Sequence, residues 1–191
     1  TGVNVNHSSN CNNGTFKFDF QVSVANANFT VNYLSGCAPL TVQFTNQSSP
    51  GASYLWDFGG GDTTSTTLNP IKLYSTPGTY LVHLYVKNPL SCNGTDTAYQ
   101  YVTVHPSLIA DFDFISSPCS NLVAFSDSSA IAPVSWLWDF NDGSSSTLQN
   151  PTHAFPSMGN FDVQLIATNK YDCKDTAIVP VDLSGPTISV N

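Results

Sequence analysis

The sequence predicts an all-β chain of two tandem sandwich modules preceded by an extra strand, and three observations carry that reading. Among its 191 residues there is Asp but no Glu, Lys but no Arg, and a single Met, so the strong helix formers are nearly missing. Ser, Thr and Asn fill 61 positions (24, 19 and 18), Gly and Pro fill another 24, and β-branched and aromatic residues are plentiful. The chain also repeats itself. Trp56-Asp57-Phe58 returns as Trp138-Asp139-Phe140, and Cys37 returns as Cys119 at the same offset. Asn69-Pro70, Tyr74, Gly78, Tyr80, Asn88 and Cys92 have counterparts at an offset shorter by one, in Asn150-Pro151, Phe155, Gly159, Phe161, Asn169 and Cys173. Asp96-Thr97-Ala98 returns as Asp175-Thr176-Ala177 after a further small deletion. So many landmarks in one order mark true internal repetition, with units at 26–106 and 107–185.

Taken in order, residues 1–15 are rich in Asn, Ser and Gly, lack periodicity, and read as a flexible arm. Phe16, Phe18, Phe20, Val22 and Val24 then occupy every even position, the period-two pattern of a strand. The arm and this strand make up residues 1–25, outside both repeats. In unit one, Leu40 to Phe44 alternates and Asn46 to Gly51 reads as a turn. Strands follow at Tyr54–Phe58 and at Thr79–Val86, the latter with Tyr80, Val82, Leu84 and Val86 on one face and His83 opposite. The last strand sets Tyr99, Tyr101 and Thr103 against Val102 and Val104. Unit two repeats the pattern over 123–125, 136–140, 160–167 and 177–183. Asp111 and Asp113 alternate with Phe112 and Phe114, marking the wet face of a strand. Residues 186–191 read as a tail or the start of a linker.

Trp56 and Trp138 are the expected core anchors, each able to bury a large apolar surface between two sheets. Asp57 and Asp139 are placed to accept N–H bonds from the turns that follow. Gly78 and Gly159 are expected at positive φ before a hairpin strand.

These residues carry a resemblance. Tyr54-Leu55-Trp56-Asp57-Phe58-Gly59-Gly60-Gly61-Asp62, Asn69-Pro70, Tyr74, Gly78-Thr79-Tyr80-Leu81-Val82 and Asn88 resemble the signature of the polycystic kidney disease (PKD) domain. Trp136 to Gly143, Asn150 to Phe155 and Gly159 to Val163 match it again, more closely. The resemblance implies an immunoglobulin-like β-sandwich for each unit. Unit one departs from the pattern with Lys72 in place of His and Gly60-Gly61-Asp62 at the turn. The Asp-, Asn- and Ser-rich style with cysteines also resembles modules of secreted and surface proteins of Bacteroidota.

Five cysteines form two equivalent pairs and one remainder. Their repeat positions predict disulfides Cys37–Cys92 and Cys119–Cys173 inside the modules, with reduced core cysteines or a metal site as alternatives. Cys11 is left free or linked to a second chain. An extracellular chain would also use its sequons at Asn6, Asn13, Asn28, Asn46 and Asn93, although an Asn/Ser/Thr-rich chain generates such triplets by chance. Thr63, Thr97 and Thr176, each next to an Asp, are candidates for O-linked sugar.

Net charge is −8 with no basic cluster, which excludes nucleic acid and anionic membrane surfaces as partners, and no apolar run approaches a membrane span. The four histidines are scattered, and no nucleophile elbow, zincin motif or phosphate loop occurs. The signature turns, Asp139 with Asp142 and Asp57 with Asp62, are the places for a carboxylate pair, and Asp139 with Asp142 for a calcium ion, but a structural turn is the reading we prefer there. No enzyme activity and no cofactor beyond covalent glycan are expected. The strand at 16–24 must pair somewhere, because exposed it would template aggregation. The expected function is therefore a glycosylated extracellular structural protein that assembles with itself, end to end, by donating this strand. The alternative is a spacer or binding module of a secreted adhesin or hydrolase, touching glycan or surface protein.

Overall fold

The computed structural model describes residues 24–50, 53–61, 64–117 and 120–184, and all regular structure among them is β-strand. The first module contains β1 (Phe29–Val31), β2 (Ser35–Cys37), β3 (Leu40–Asn46), β4 (Ser53–Asp57), β5 (Thr64–Ser65), β6 (Ile71–Tyr74), β7 (Gly78–Lys87) and β8 (Thr95–His105). One sheet runs β1-β3-β6 and the other β2-β8-β7-β4-β5. The second module contains β9 (Phe112–Ser116), β10 (Leu122–Asp127), β11 (Pro133–Asp139), β12 (Ser145–Ser146), β13 (Thr152–Ala154), β14 (Asn160–Asn169) and β15 (Lys174–Asp182). Its sheets run β13-β10-β9 and β12-β11-β14-β15. The fold is the all-β tandem sandwich that the periodicity predicts.

Each module closes on its own apolar cluster. In the first, Trp56 has no exposed surface and packs edge-on to Phe29 at 5.1 Å and against Phe44 at 5.5 Å. In the second, Trp138 meets Phe112 at 5.0 Å and Phe125 at 5.5 Å. Each indole N–H donates to a turn carbonyl, Thr67 O at 2.9 Å and Leu148 O at 2.8 Å. The tryptophan thus fills the core and ties the turn after its strand to it, with its one polar group satisfied.

β2 breaks the antiparallel rule. It pairs in parallel with β8, matching Cys37 to His105, so the first segment of module one starts on one sheet and finishes on the other. This crossing covers the outer edge of β8 and places Cys37 at the end of the module where the chain leaves for module two. Gly159 has φ 151°, whereas Gly78 has ordinary backbone geometry. Gly78 begins β7 and pairs with Val104, so that expectation fails because the strand starts one residue earlier than the alternation suggested.

Candidate functional site

The junction between the modules is where the chain departs most from two independent sandwiches. β8 runs to His105, and Ala38 N–H donates to His105 O at 2.8 Å, holding the end of β2 against the end of β8. From the other side comes the hairpin between β14 and β15. Buried Asn169 shapes it, its Oδ1 accepting from Tyr171 N–H at 2.9 Å and Cys173 N–H at 3.1 Å. Asn169 Nδ2 donates back to Pro106 O at 3.0 Å, gripping the connecting segment. The Tyr171 ring lies flat on the His105 ring at 4.3 Å and 11°, with Lys170 Nζ 4.9 Å from the Tyr171 centroid.

The junction is closed by a covalent bond, Cys37–Cys173, with Cα atoms 5.7 Å apart and a sequence separation of 136. This corrects the expected pairing within each module. Cys92, the expected partner of Cys37, is exposed with a free thiol, and Cys119 and Cys11 lie outside the described residues. The reason is geometric. β2 carries Cys37 to the junction end of its module, and the hairpin of the following module reaches back to the same place. A loop this long is worth about 5 kcal/mol of unfolded-state entropy in the chain-entropy treatment.

A second cluster sits in the signature turn of module two. Asp139 Oδ1 accepts from Asn141 N–H at 2.9 Å, as Asp57 Oδ1 does from Gly59 N–H at 2.9 Å. Asp142 Oδ2 lies 2.7 Å from His153 Nε2, and Asp142 Oδ1 accepts from Ser144 N–H at 3.0 Å and from the Ser144 hydroxyl. The His153 ring stacks on Phe140 at 4.1 Å. Partial burial pushes the Asp142 carboxyl up, but the bonds from Ser144 and His153 outweigh this and hold it below its ordinary value.

Ser, His and Asp are thus gathered, though not as a nucleophilic triad. A carboxylate only accepts, so Nε2 must donate to Asp142. The Ser144 hydroxyl lies 3.2 Å from the same Nε2 and therefore faces no lone pair able to take its proton. The group locks its own turn. In module one Lys72 takes the place of His153, its Nζ 6.0 Å from the Phe58 ring. Among the described residues no three His, Cys or Asp side chains gather as a metal site.

Family models described as PKD domain match residues 26–100 and 115–182. The chain belongs to the PKD domain family. Human polycystin-1 is 32% identical over 125 residues, covering 61% of this chain and 3% of polycystin-1. A microbial collagenase of Vibrio alginolyticus is 39% identical over 66 residues, covering 32% of this chain and 8% of the collagenase. The chain therefore spans a small fraction of the length of these relatives. Among solved structures, the PKD1 domain of Vibrio anguillarum Epp aligns at a TM-score of 0.39 with 22% identity, over 42% of this chain and 96% of that one. The PKD1 domain of the Vibrio cholerae metalloprotease PrtV aligns at 0.38 with 26% identity, over 40% and 96%.

Within the two PKD modules the other predicted residues fall in distinct settings. Asn28 is exposed, its amide 3.5 Å from Gln47 Oε1. Asn46 Nδ2 is closed to solvent without a hydrogen-bond partner, so a sugar at Asn46 does not fit the folded module. Both amide atoms of Asn93 clasp the Ala25 backbone, at 2.7 and 2.9 Å. Thr97 and Thr176 are exposed on the last strands, and their Asp neighbours are structural. Asp96 Oδ2 accepts from Ala27 N–H at 2.7 Å, and Asp175 Oδ2 from Ala110 N–H at 2.9 Å, each fixing the segment that leads into its module. Val24 is exposed and outside any strand, while Phe16, Phe18, Phe20, Val22, Asn6, Asn13 and Thr63 lie outside the described residues.

Sequence reasoning missed Asn169, Tyr171 and His105 as junction residues. Asn169 was visible as a repeated landmark, but nothing in the pattern said that its amide would reach the linker.

Proposed function

We propose that the chain is a non-catalytic structural segment of an extracellular protein, holding its PKD modules end to end as a stiff rod. The observation that carries this reading is the Cys37–Cys173 bond across the junction. Neighbouring domains normally move against each other unless a large apolar interface stops them. Here a covalent link, a ring stack and the Asn169 bond act together on one short connection. A disulfide joining two modules also suits an oxidising compartment outside the cytosol. The Ser144–His153–Asp142 group is committed to its turn, which supports a non-catalytic role.

Extension of such a rod can follow two routes. The alternating strand at 16–24 can add to a neighbouring copy and build a self-assembled fibre, or the polypeptide itself can run on through further modules. Electron microscopy of the secreted material with residues 1–24 deleted separates them. Strand donation predicts that filaments disappear and folded monomers remain, whereas filaments that persist unchanged rule it out. Intact mass in the same preparation reads out covalent glycan, for which Asn28, Thr97 and Thr176 offer exposed attachment points.

One surface favours a second, binding role. The outer face of the larger sheet of module one presents Tyr85, Tyr99 and Tyr101, the last two 68% and 56% exposed, with His83 stacked on Tyr85 at 5.6 Å. At the corresponding positions module two carries Ile166, Ile178 and Pro180 instead. Exposed phenol rings on a sheet face suit the apolar face of a pyranose. If this face binds glycan, Tyr99→Ala with Tyr101→Ala abolishes retardation in affinity electrophoresis through polysaccharide gels; unchanged migration of wild type with and without polysaccharide rejects it.

A further inference from the structure

The observed bond follows a rule that the remaining cysteines can be set against. It joins a cysteine near the start of one module (Cys37) to the cysteine before the last strand of the next (Cys173). Cys119 occupies the first of these positions in module two, and Cys92 occupies the second in module one. Cys11 precedes Cys92 by the same interval that separates Cys92 from Cys173.

The match around Cys11 extends well beyond one residue. Asn13-Gly14-Thr15 corresponds to Asn93-Gly94-Thr95, and Val22-Ser23-Val24 to Val102-Thr103-Val104, both at an offset of 80, one less than the Cys11-to-Cys92 interval, so Asn12 is a one-residue insertion between the cysteine and the rest of the match. Phe18, Phe20, Val22 and Val24 thereby share the phase of Ala98, Gln100, Val102 and Val104, the side of β8 on which Val102 and Val104 are buried. Residues 11–24 thus have the sequence of a PKD module's closing hairpin and last strand.

The structure also shows where the hairpin bearing Cys92 lies. In module two the hairpin bearing Cys173 grips the incoming connection through Asn169 and Pro106. In module one the hairpin bearing Cys92 grips its own incoming connection, Asn93 clasping Ala25 through both amide atoms. Cys92 therefore sits beside the point where the chain enters from residue 24, as Cys173 sits beside the segment from module one. Its thiol is exposed and free.

We propose that Cys92 is bonded to the module-start cysteine of a preceding PKD module of the same polypeptide, a module whose last-strand sequence is residues 15–24. The inference rests on the rod reading and replaces strand donation by continuation of the chain. Bond formation takes two thiols to one S–S bond. Two protons and two electrons pass to a disulfide oxidant, which is reduced to two thiols. Every module would then be bolted to the next by the same link.

The test is peptide mapping by mass spectrometry on the full-length secreted protein, alkylated with iodoacetamide before any reductant. The expected result is a cross-linked pair containing Cys92 and a cysteine from a segment N-terminal to residue 1, with alkylated Cys92 absent. The Cys37–Cys173 pair in the same digest certifies an oxidised sample. Recovery of Cys92 alkylated, or bonded to Cys11, or bonded to Cys119 of a second copy, overturns the proposal. Those results leave the non-catalytic rod standing. Loss of the Cys37–Cys173 pair itself removes the rule and the rod reading together.

Discussion

Asp142 accepts from the Ser144 backbone, the Ser144 hydroxyl and His153, and so reinforces a turn that Asp139 also caps through Asn141 N–H. Its carboxyl sits below the ordinary value in the folded module. A carboxyl lowered on folding adds stability above its unfolded value, near 4, and that stability is lost as pH falls through the folded value. Asp127 behaves alike: burial raises it, and bonds from Ser129, Trp136 and Gln149 overcome that and lower it. Asp142→Asn should therefore cost about 1 kcal/mol at neutral pH and flatten the acid limb of the stability curve of module two. Urea denaturation at pH 7 and at pH 3 reads both effects; an unchanged acid limb would contradict the assignment.

At the scale of elements, the hairpin between β14 and β15 is the part that turns a sandwich into a link. Removing Asn169 leaves Pro106 O without its donor and the Tyr171 and Cys173 N–H groups without their acceptor. Asn169→Ala should cost about 2 kcal/mol, and Tyr171→Ala, which deletes the stack on His105, about 1 kcal/mol. Both should speed reduction of Cys37–Cys173 by dithiothreitol, measured by quenched mass spectrometry, because they loosen the hairpin that shields buried Cys173. Equal reduction rates would show that the hairpin does not guard the bond. The long strands β3, β4, β7, β8 and β14 were legible because inward and outward residues alternate along them. β2, β5 and β12 were not, since two or three residues carry no period. The cysteine pairing was illegible for a deeper reason. A repeat looks the same whether its cysteines pair within a module or with the next one, and only the placement of β2 and the hairpin at a shared junction decides.

For the whole molecule, two sandwiches with separate cores would behave as beads on a string unless the junction couples them. The sandwich was readable from alternating strands in a repeat, and the family from the resemblance carried by Trp56-Asp57-Phe58, Asn69-Pro70 and Gly78-Thr79-Tyr80 with their counterparts in unit two, whereas the coupling depends on contacts between residues as far apart as Cys37 and Cys173. Backbone N–H residual dipolar couplings of the weakly aligned chain test the coupling most directly. The account predicts that the oxidised chain fits a single alignment tensor for both modules, and that reduction splits it into two tensors of different magnitude. Two different tensors in the oxidised chain would contradict the rod.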